Sequence, residues 1–228
     1  MAAVELAPSV HRIVMLRPDL VNVFAFSEAD GSVSLVDAGY SWTTRSLRRG
    51  LASIGKAFED VRRIVLTHAH PDHAGGVHKM PAAEISAHGD DAPFLEAGTP
   101  PPLHIPQVLF RLPGNSVPKV VLASTFADGD VLDVGGGLRI LHTPGHTPGH
   151  VALLHEDSGV LVTGDSIANY TGRFSYGWAR LCSDPRQNKL TAHRLGEEDY
   201  SIAAFTHGPE IRTDARERVR AFLSRKDR

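Results

Sequence analysis

The stretch THAHPDHAGG, residues 67–76, governs how the rest of the chain reads. Within six positions it sets His68, His70, Asp72 and His73, three imidazoles and a carboxylate. A polar loop in a chain with 13 histidines is one reading of it, and half of a metal site is the other. His68 and His70 stand two apart, so a locally extended backbone turns both to one side. Asp72 and His73 are adjacent, and a turn there aims them at a neighbouring position. A metal site needs further donors from other elements, and they recur at the ends of apolar runs. His146 lies in HTPGHTPGH, Asp165 closes VLVTGD, and His207 follows AAFT. At such places a rigid sheet holds the backbone while the side chain faces an open rim.

The surrounding sequence supplies those sheets. HRIVML, NVFAFS and SVSLVDAG are short apolar runs bounded by turn residues, and they read as three strands of a meander, the second opening at Asn22. SWTTRSLRRGLASIG reads as a helix capped by Ser41, with Leu47, Leu51 and Ile54 on one side and Gly55 as its stop. VRRIVLTHAH is a buried strand that delivers the histidines, DHAGGVHKM starts a helix with Asp72 near its N-terminus, and AEISAH is a further strand. Residues 98–118 differ, with six prolines from Pro100 to Pro118 among Leu103, Ile105, Val108, Leu109 and Phe110. That segment is expected to be an irregular apolar insertion forming a flap over a pocket or packing on the body. Beyond it come two strands around the glycines of DGDVLDVGGGLRILH, a hairpin through residues 157–159, a helix from about 184 to 197, the strand SIAAFTHG and a C-terminal amphipathic helix. Strands followed by helices, twice over, predict one α+β domain across residues 1–228. Its architecture would be an αββα sandwich of two mixed sheets with helices on the outer faces.

Composition narrows the partners. Lysine and arginine number 24 against 26 acidic residues, so no basic field recruits nucleic acid or an anionic membrane. The single cysteine, Cys182, excludes an internal disulfide and a paired thiol motif. The opening MAAVELAPSVHRIVML shows no basic segment followed by a long apolar run and small-residue cleavage site, so no export signal is expected, and no stretch offers the roughly 20 apolar residues of a membrane span. The expectation is a cytoplasmic protein acting on a small molecule.

Taken in order, VSLVDAG, THAHPDH, TPGHTPGH, VTGD and FTHG make the chain resemble the metallo-β-lactamase-fold superfamily, which includes class B β-lactamases, glyoxalase II and lactonases. The resemblance implies His68, His70 and His146 on one metal, Asp72, His73 and His207 on a second, and Asp165 bridging both. It implies two zinc ions per chain, for which neutral imidazoles and carboxylates are suitable donors. The implied activity is a hydrolase whose metal-bridging hydroxide attacks a small carboxylic ester, lactone, thioester or amide. Asp72 and Tyr170 are the candidate catalytic side chains, Tyr170 as a donor to the oxyanion or leaving group, with Arg173 a candidate partner for a substrate anion. Asp37 matches the carboxylate that orients a metal-bound histidine. His142 and His150, four positions either side of His146, are expected to pack behind the site, and Cys182 to be a half-buried thiol. A mononuclear Fe2+ enzyme of the persulfide-dioxygenase type would use a subset of the same donors, and a noncatalytic binding protein would be expected to have lost some. Because imidazoles bind metals only when neutral, affinity and activity are expected to fall below about pH 6.

Overall fold

Successive side chains on a strand point to opposite faces, so a strand apolar at every position must be covered on both sides. A computed structural model, which describes residues 2–103, 116–170 and 172–225, shows how this is met. Strands β1 (Val4–Ala7), β2 (Val10–Leu16), β3 (Val21–Ser27), β4 (Val33–Val36), β5 (Val61–Val65), β6 (Glu84–His88) and β7 (Ser124–Phe126) form one sheet in sequence order. Pairing is antiparallel as far as β4 and parallel from β4 to β7. The second sheet contains β8 (Val131–Leu132), β9 (Leu138–His142), β10 (Val151–His155) and β11 (Val160–Val162). A hairpin of β12 (Ile167–Tyr170) and β13 (Arg173–Tyr176) leads towards β14 (Ile202–Ala204), which pairs parallel to β11 at the sheet's edge.

Alternation along the strands divides the core into three layers. On β3, Val23 and Ala25 face one cluster, which includes Leu47 and Leu51 of helix α1 (Thr44–Ser53). Phe24 and Phe26 face the opposite way, onto Leu138, Ile140, Val151 and Leu153 of the second sheet. The far side of that sheet, with Leu141, Ala152, Leu154 and Leu161, packs on Val219 and Leu223. These two residues belong to the C-terminal helix Ala215–Leu223. The αββα sandwich of mixed sheets expected from the sequence is therefore the observed architecture.

Several local expectations are corrected. Helix α1 begins after Thr43, not Ser41, because Thr43 turns back on Tyr40, its N–H and Oγ1 both donating to the Tyr40 carbonyl at 3.0 and 2.9 Å. The helix expected from Asp72 onward is the single turn α2 (Pro71–Ala74), followed by a separate 3-10 turn at Val77–Lys79. It breaks where the loop after β4 crosses: Gly76 N donates to Gly39 O at 2.8 Å, and a Cβ on Gly76 would lie 2.3 Å from the Ala38 carbonyl oxygen. Strands β1 and β7, helix α3 (Ala92–Ala97) and the β12–β13 hairpin had no counterpart in the sequence reading. Helices α4 (Pro185–Ala192) and α5 (Ala215–Leu223) lie where expected. Of the proline-rich segment, residues 104–115 lie outside the described residues, and with them Ile105, Val108, Leu109 and Phe110. Among the described residues no helix is long and apolar enough to cross a membrane.

The topology positions the site. The donor-bearing loops follow β5, β9, β11 and β14, and Asp37 follows β4. Because β4 and β5 are parallel, as are β11 and β14, these strand ends come out at one rim.

Candidate metal centre

After β5 the chain stays extended through His70, at φ −104° and ψ 156°, and Pro71 then opens α2. Extension brings His68 and His70 together, with His68 Nε2 3.0 Å from His70 Nδ1. His146, on the loop after β9, adds its Nε2 at 3.0 Å from His70 Nδ1. The helical turn sends Asp72 and His73 elsewhere. There His73 Nε2 and His207 Nε2 each lie 3.5 Å from Asp72 Oδ2. Asp165 stands between the two groups: its Oδ1 is 3.4 Å from His73 Nε2, and its Oδ2 is 3.3 Å from His146 Nε2 and 3.1 Å from His207 Nε2. All seven residues singled out in the sequence thus meet in one place.

The spacing fits ions. Donors at the corners of a tetrahedron with bonds of about 2.0–2.1 Å lie about 3.4 Å apart. The nearest donor pairs here are 3.0–3.5 Å apart. His73 Nε2 is buried without a hydrogen-bond partner while two carboxylate oxygens stand just beyond bonding range, which is the environment a cation completes.

Charge differs between the groups. Burial, then the neighbouring imidazole of His73, pushes His68 well below the ordinary histidine value, and burial takes His70 down to about 4. His146 is likewise held well down by burial. Burial also opposes protonation of His73, yet Asp72, Asp37 and Asp165 raise it well above the ordinary value. His207, against the same burial, is raised by Asp165 to about 9. Burial disfavours ionised Asp72 and Asp165, but His73 and His207 hold both well below the usual carboxylate range. One group is therefore a neutral three-nitrogen cradle, and the other is built to surround positive charge.

The sequence profile of the Metallo-beta-lactamase superfamily matches residues 16–226. The chain belongs to this superfamily. Metallo-beta-lactamase domain-containing protein 1 of Xenopus laevis is 30% identical over 204 residues, covering 81% of this chain and 73% of its own. A hydroxyacylglutathione hydrolase of Cereibacter sphaeroides is 33% identical over 133 residues, covering 54% of this chain and 43% of its own. The crystal structure of a metallo-beta-lactamase family protein from Thermus thermophilus superimposes with a TM-score of 0.71 at 28% identity, covering 96% of this chain and 80% of that one.

In this metallo-beta-lactamase superfamily member the outer nitrogens of the histidines are also held. Asp37, itself in the left-handed region at φ 65°, accepts from His73 Nδ1 at 2.7 Å and from Thr67 N at 2.8 Å. Thr67 Oγ1 donates to Asp37 at 2.9 Å and lies 3.0 Å from His68 Nδ1. His207 Nδ1 donates to the Leu20 carbonyl. These acceptors fix the tautomers that leave Nε2 facing inward. His150 packs behind Asp165, its Nε2 accepting from the Asp165 N–H at 2.7 Å and its Nδ1 pairing with Thr143. His142 stacks on His88 with ring centres 4.0 Å apart and planes at 15°. Those two with Asp90 form a further donor cluster, but near-parallel rings do not converge on one point, and His142 Nε2 is already bonded to Pro148 O at 2.9 Å.

The support roles of two side chains were not legible in the sequence. Cys182 is fully buried, not half-buried, and its Sγ lies 3.4 Å from His146 Nδ1. Burial pushes the thiol up to about 12, so it stays protonated, donating to Trp178 O at 3.4 Å and accepting from His146. Cys182→Ala is expected to weaken metal binding by the three-histidine group about tenfold, and Cys182→Ser to retain most of it, by titration against a chromophoric chelator. Equal affinity in all three proteins would discard this support role. Asp91, also buried, accepts from Ala69 N, Thr147 Oγ1 and Gly149 N, each at 2.7 Å, and so ties the first histidine loop to the His146 loop. Asp91→Ala leaves buried donors unpaired and is expected to cost about 3 kcal/mol in urea unfolding. A loss below about 1 kcal/mol would show that the loops hold without it.

Tyr170 stacks near His207 with ring centres 6.1 Å apart. Burial, then Asp165 and Asp72, raise its hydroxyl above the ordinary tyrosine value, keeping it a donor. Tyr40 is raised by burial and the same two carboxylates, a neighbour the sequence did not single out. Arg173 is exposed and faces Tyr170 across the hairpin.

Proposed function

We propose that this chain is a metal-dependent hydrolase that holds two zinc ions and cleaves a small carboxylic ester, lactone, thioester or amide. The observation that carries this reading is Asp165, one carboxylate within 3.1–3.4 Å of imidazoles from both donor groups. His68, His70 and His146 would hold one ion, Asp72, His73 and His207 the other, and Asp165 would serve both. Bound there, the ions supply a low-pKa water and polarisation of the scissile carbonyl. The chain's own residues supply orientation and proton handling. Asp37 and Thr67 keep His73 and His68 aimed. Asp72, with its side chain 18% exposed against 9% for Asp165, is the more open of the two site carboxylates and, kept ionised, would orient the attacking water by accepting a hydrogen bond from it. Tyr170, kept protonated, donates to the developing oxyanion or the leaving group.

The near balance of 24 basic and 26 acidic residues supports a small-molecule substrate over nucleic acid. Thioesters gain support from the hydroxyacylglutathione hydrolase that matches about half of this chain. A single ferrous ion would need only part of the donor set, and seven side chains converging in two linked groups support two ions instead. Elemental analysis of untagged protein purified without added metal or chelator tests this directly. About two zinc ions per chain, with turnover in a screen of esters, lactones and thioesters, is the expected result. One iron with little zinc would transfer the reading to oxygen chemistry.

A further inference from the structure

The chain has two tryptophans, and both keep more than half their surface in solvent, Trp42 at 57% and Trp178 at 62%. Tryptophan is highly buried on average, because its large apolar surface stabilises most when covered. Among the described residues the other large exposed apolar side chains are aliphatic: Leu20, Val121, Val131 and Leu190. The two indoles share a further feature. Trp42 stacks on Tyr40, with ring centres 5.1 Å apart and planes at 18°. Trp178 leans on Tyr170 at 6.4 Å and 46°. Both tyrosines feel the charges of Asp72 and Asp165, Tyr40 also feels Tyr170, and Tyr170 lies over His207. Two Tyr–Trp pairs therefore flank the donor groups, one on the loop between β4 and α1, tied to the histidine turn where Gly76 N donates to Gly39 O at 2.8 Å, the other on the β12–β13 hairpin and the turn after it, where Tyr170 lies over His207. In each pair the tyrosine is next to the metal centre and the tryptophan is the outer ring.

We propose that Trp42 and Trp178 hold an aromatic acyl group of the substrate, so that the site selects aryl-bearing esters, thioesters or amides over short aliphatic ones. This rests on the hydrolase reading and names its substrate class. A scissile carbonyl seated at the carboxylate cluster would leave its acyl substituent beside the inner tyrosines, with the indoles as the next rings outward. Rigid indole faces with two side-chain torsions stack on a flat ring at small entropic cost. A cationic group also suits an indole face, but it would be brought up to a centre built to surround cations and would be repelled.

The test measures binding of phenylacetate, cyclohexylacetate and acetate to the zinc-loaded protein by calorimetry, with tryptophan fluorescence followed in parallel. Phenylacetate is expected to bind about tenfold more tightly than acetate, to exceed cyclohexylacetate, and to quench the indoles. Trp42→Ala and Trp178→Ala, both at exposed positions, are each expected to weaken phenylacetate about 2- to 10-fold and leave acetate unchanged. Equal affinity for the three acids, no measurable binding of phenylacetate, or an equal loss for phenylacetate and acetate in the variants would overturn the proposal. The hydrolase reading is judged separately, by turnover. Aryl-selective binding without hydrolysis of any ester or thioester supports the aromatic grip and overturns that reading; hydrolysis without aryl preference does the reverse.

Discussion

Replacing Asp165 with alanine is expected to reduce zinc from about two ions per chain towards one and to lower turnover about a thousandfold. Two divalent charges about 4 Å apart repel by roughly 17 kcal/mol at an effective dielectric near 20, so neighbouring ions need a shared anion. On the two-ion reading Asp165 would be that anion, with Oδ1 towards His73 and Oδ2 towards His146 and His207. The polarisation that a second cation supplies is worth several kcal/mol, and each 1.36 kcal/mol is about tenfold in rate. Asp165→Asn separates charge from packing, since it keeps the side chain's shape and leaves an oxygen for Thr206 Oγ1, which donates to Asp165 at 2.8 Å. It is expected to lose the second ion as the alanine variant does. Elemental analysis and kcat/KM on the best ester or thioester give the answer. Two ions per chain and a rate within tenfold of the parent would remove Asp165 from the centre of the mechanism.

How much of this was legible in the sequence follows from how local each signal is. The histidine cluster is local: spacing two apart, then a Pro71-initiated turn, gives two aims from one loop, and the structure keeps both. The sheets are also local, because alternation on runs such as VNVFAFS is set residue by residue. His146 stands among His142 and His150 at equal spacing, and its place in the proline and glycine turn, with the resemblance, selected it; the ring that turns inward is decided by Gly145 and the loop, not by the spacing. Gly145, at φ 126°, would put a Cβ 2.1 Å from Asn188 N, so helix α4 seats against this loop. Asp91 and Cys182 carry no local signal, because each acts on a partner far along the chain. The short elements β1, β7 and α3 were missed for a related reason: at three to six residues, their form comes from the neighbours they dock on.

Zinc affinity of the Asp72–His73–His207 group is expected to fall about a hundredfold for each unit of pH between about 7 and 5, while the three-histidine group keeps its ion. The sign follows from the protons each ion must displace. His207 is raised to about 9 and His73 well above the ordinary value, so both are charged over this range in the metal-free protein, and protons compete with the cation more strongly as pH falls. Each displaced proton contributes about a factor of ten per unit. Asp72 and Asp165, held well below the usual carboxylate range, remain ionised and add none. His70, lowered to about 4, with His68 and His146 well down, is already neutral, so the first group releases no proton on binding. Histidine content alone predicts one loss of metal below about pH 6; the three carboxylates around His73 divide it into two events. Dialysis at fixed free zinc followed by elemental analysis should show a one-zinc protein at pH 5 and a two-zinc protein at pH 7, with hydrolysis falling as the second ion leaves. Simultaneous departure of both ions would mean that the groups share their protons, and the charge asymmetry drawn between them would be wrong.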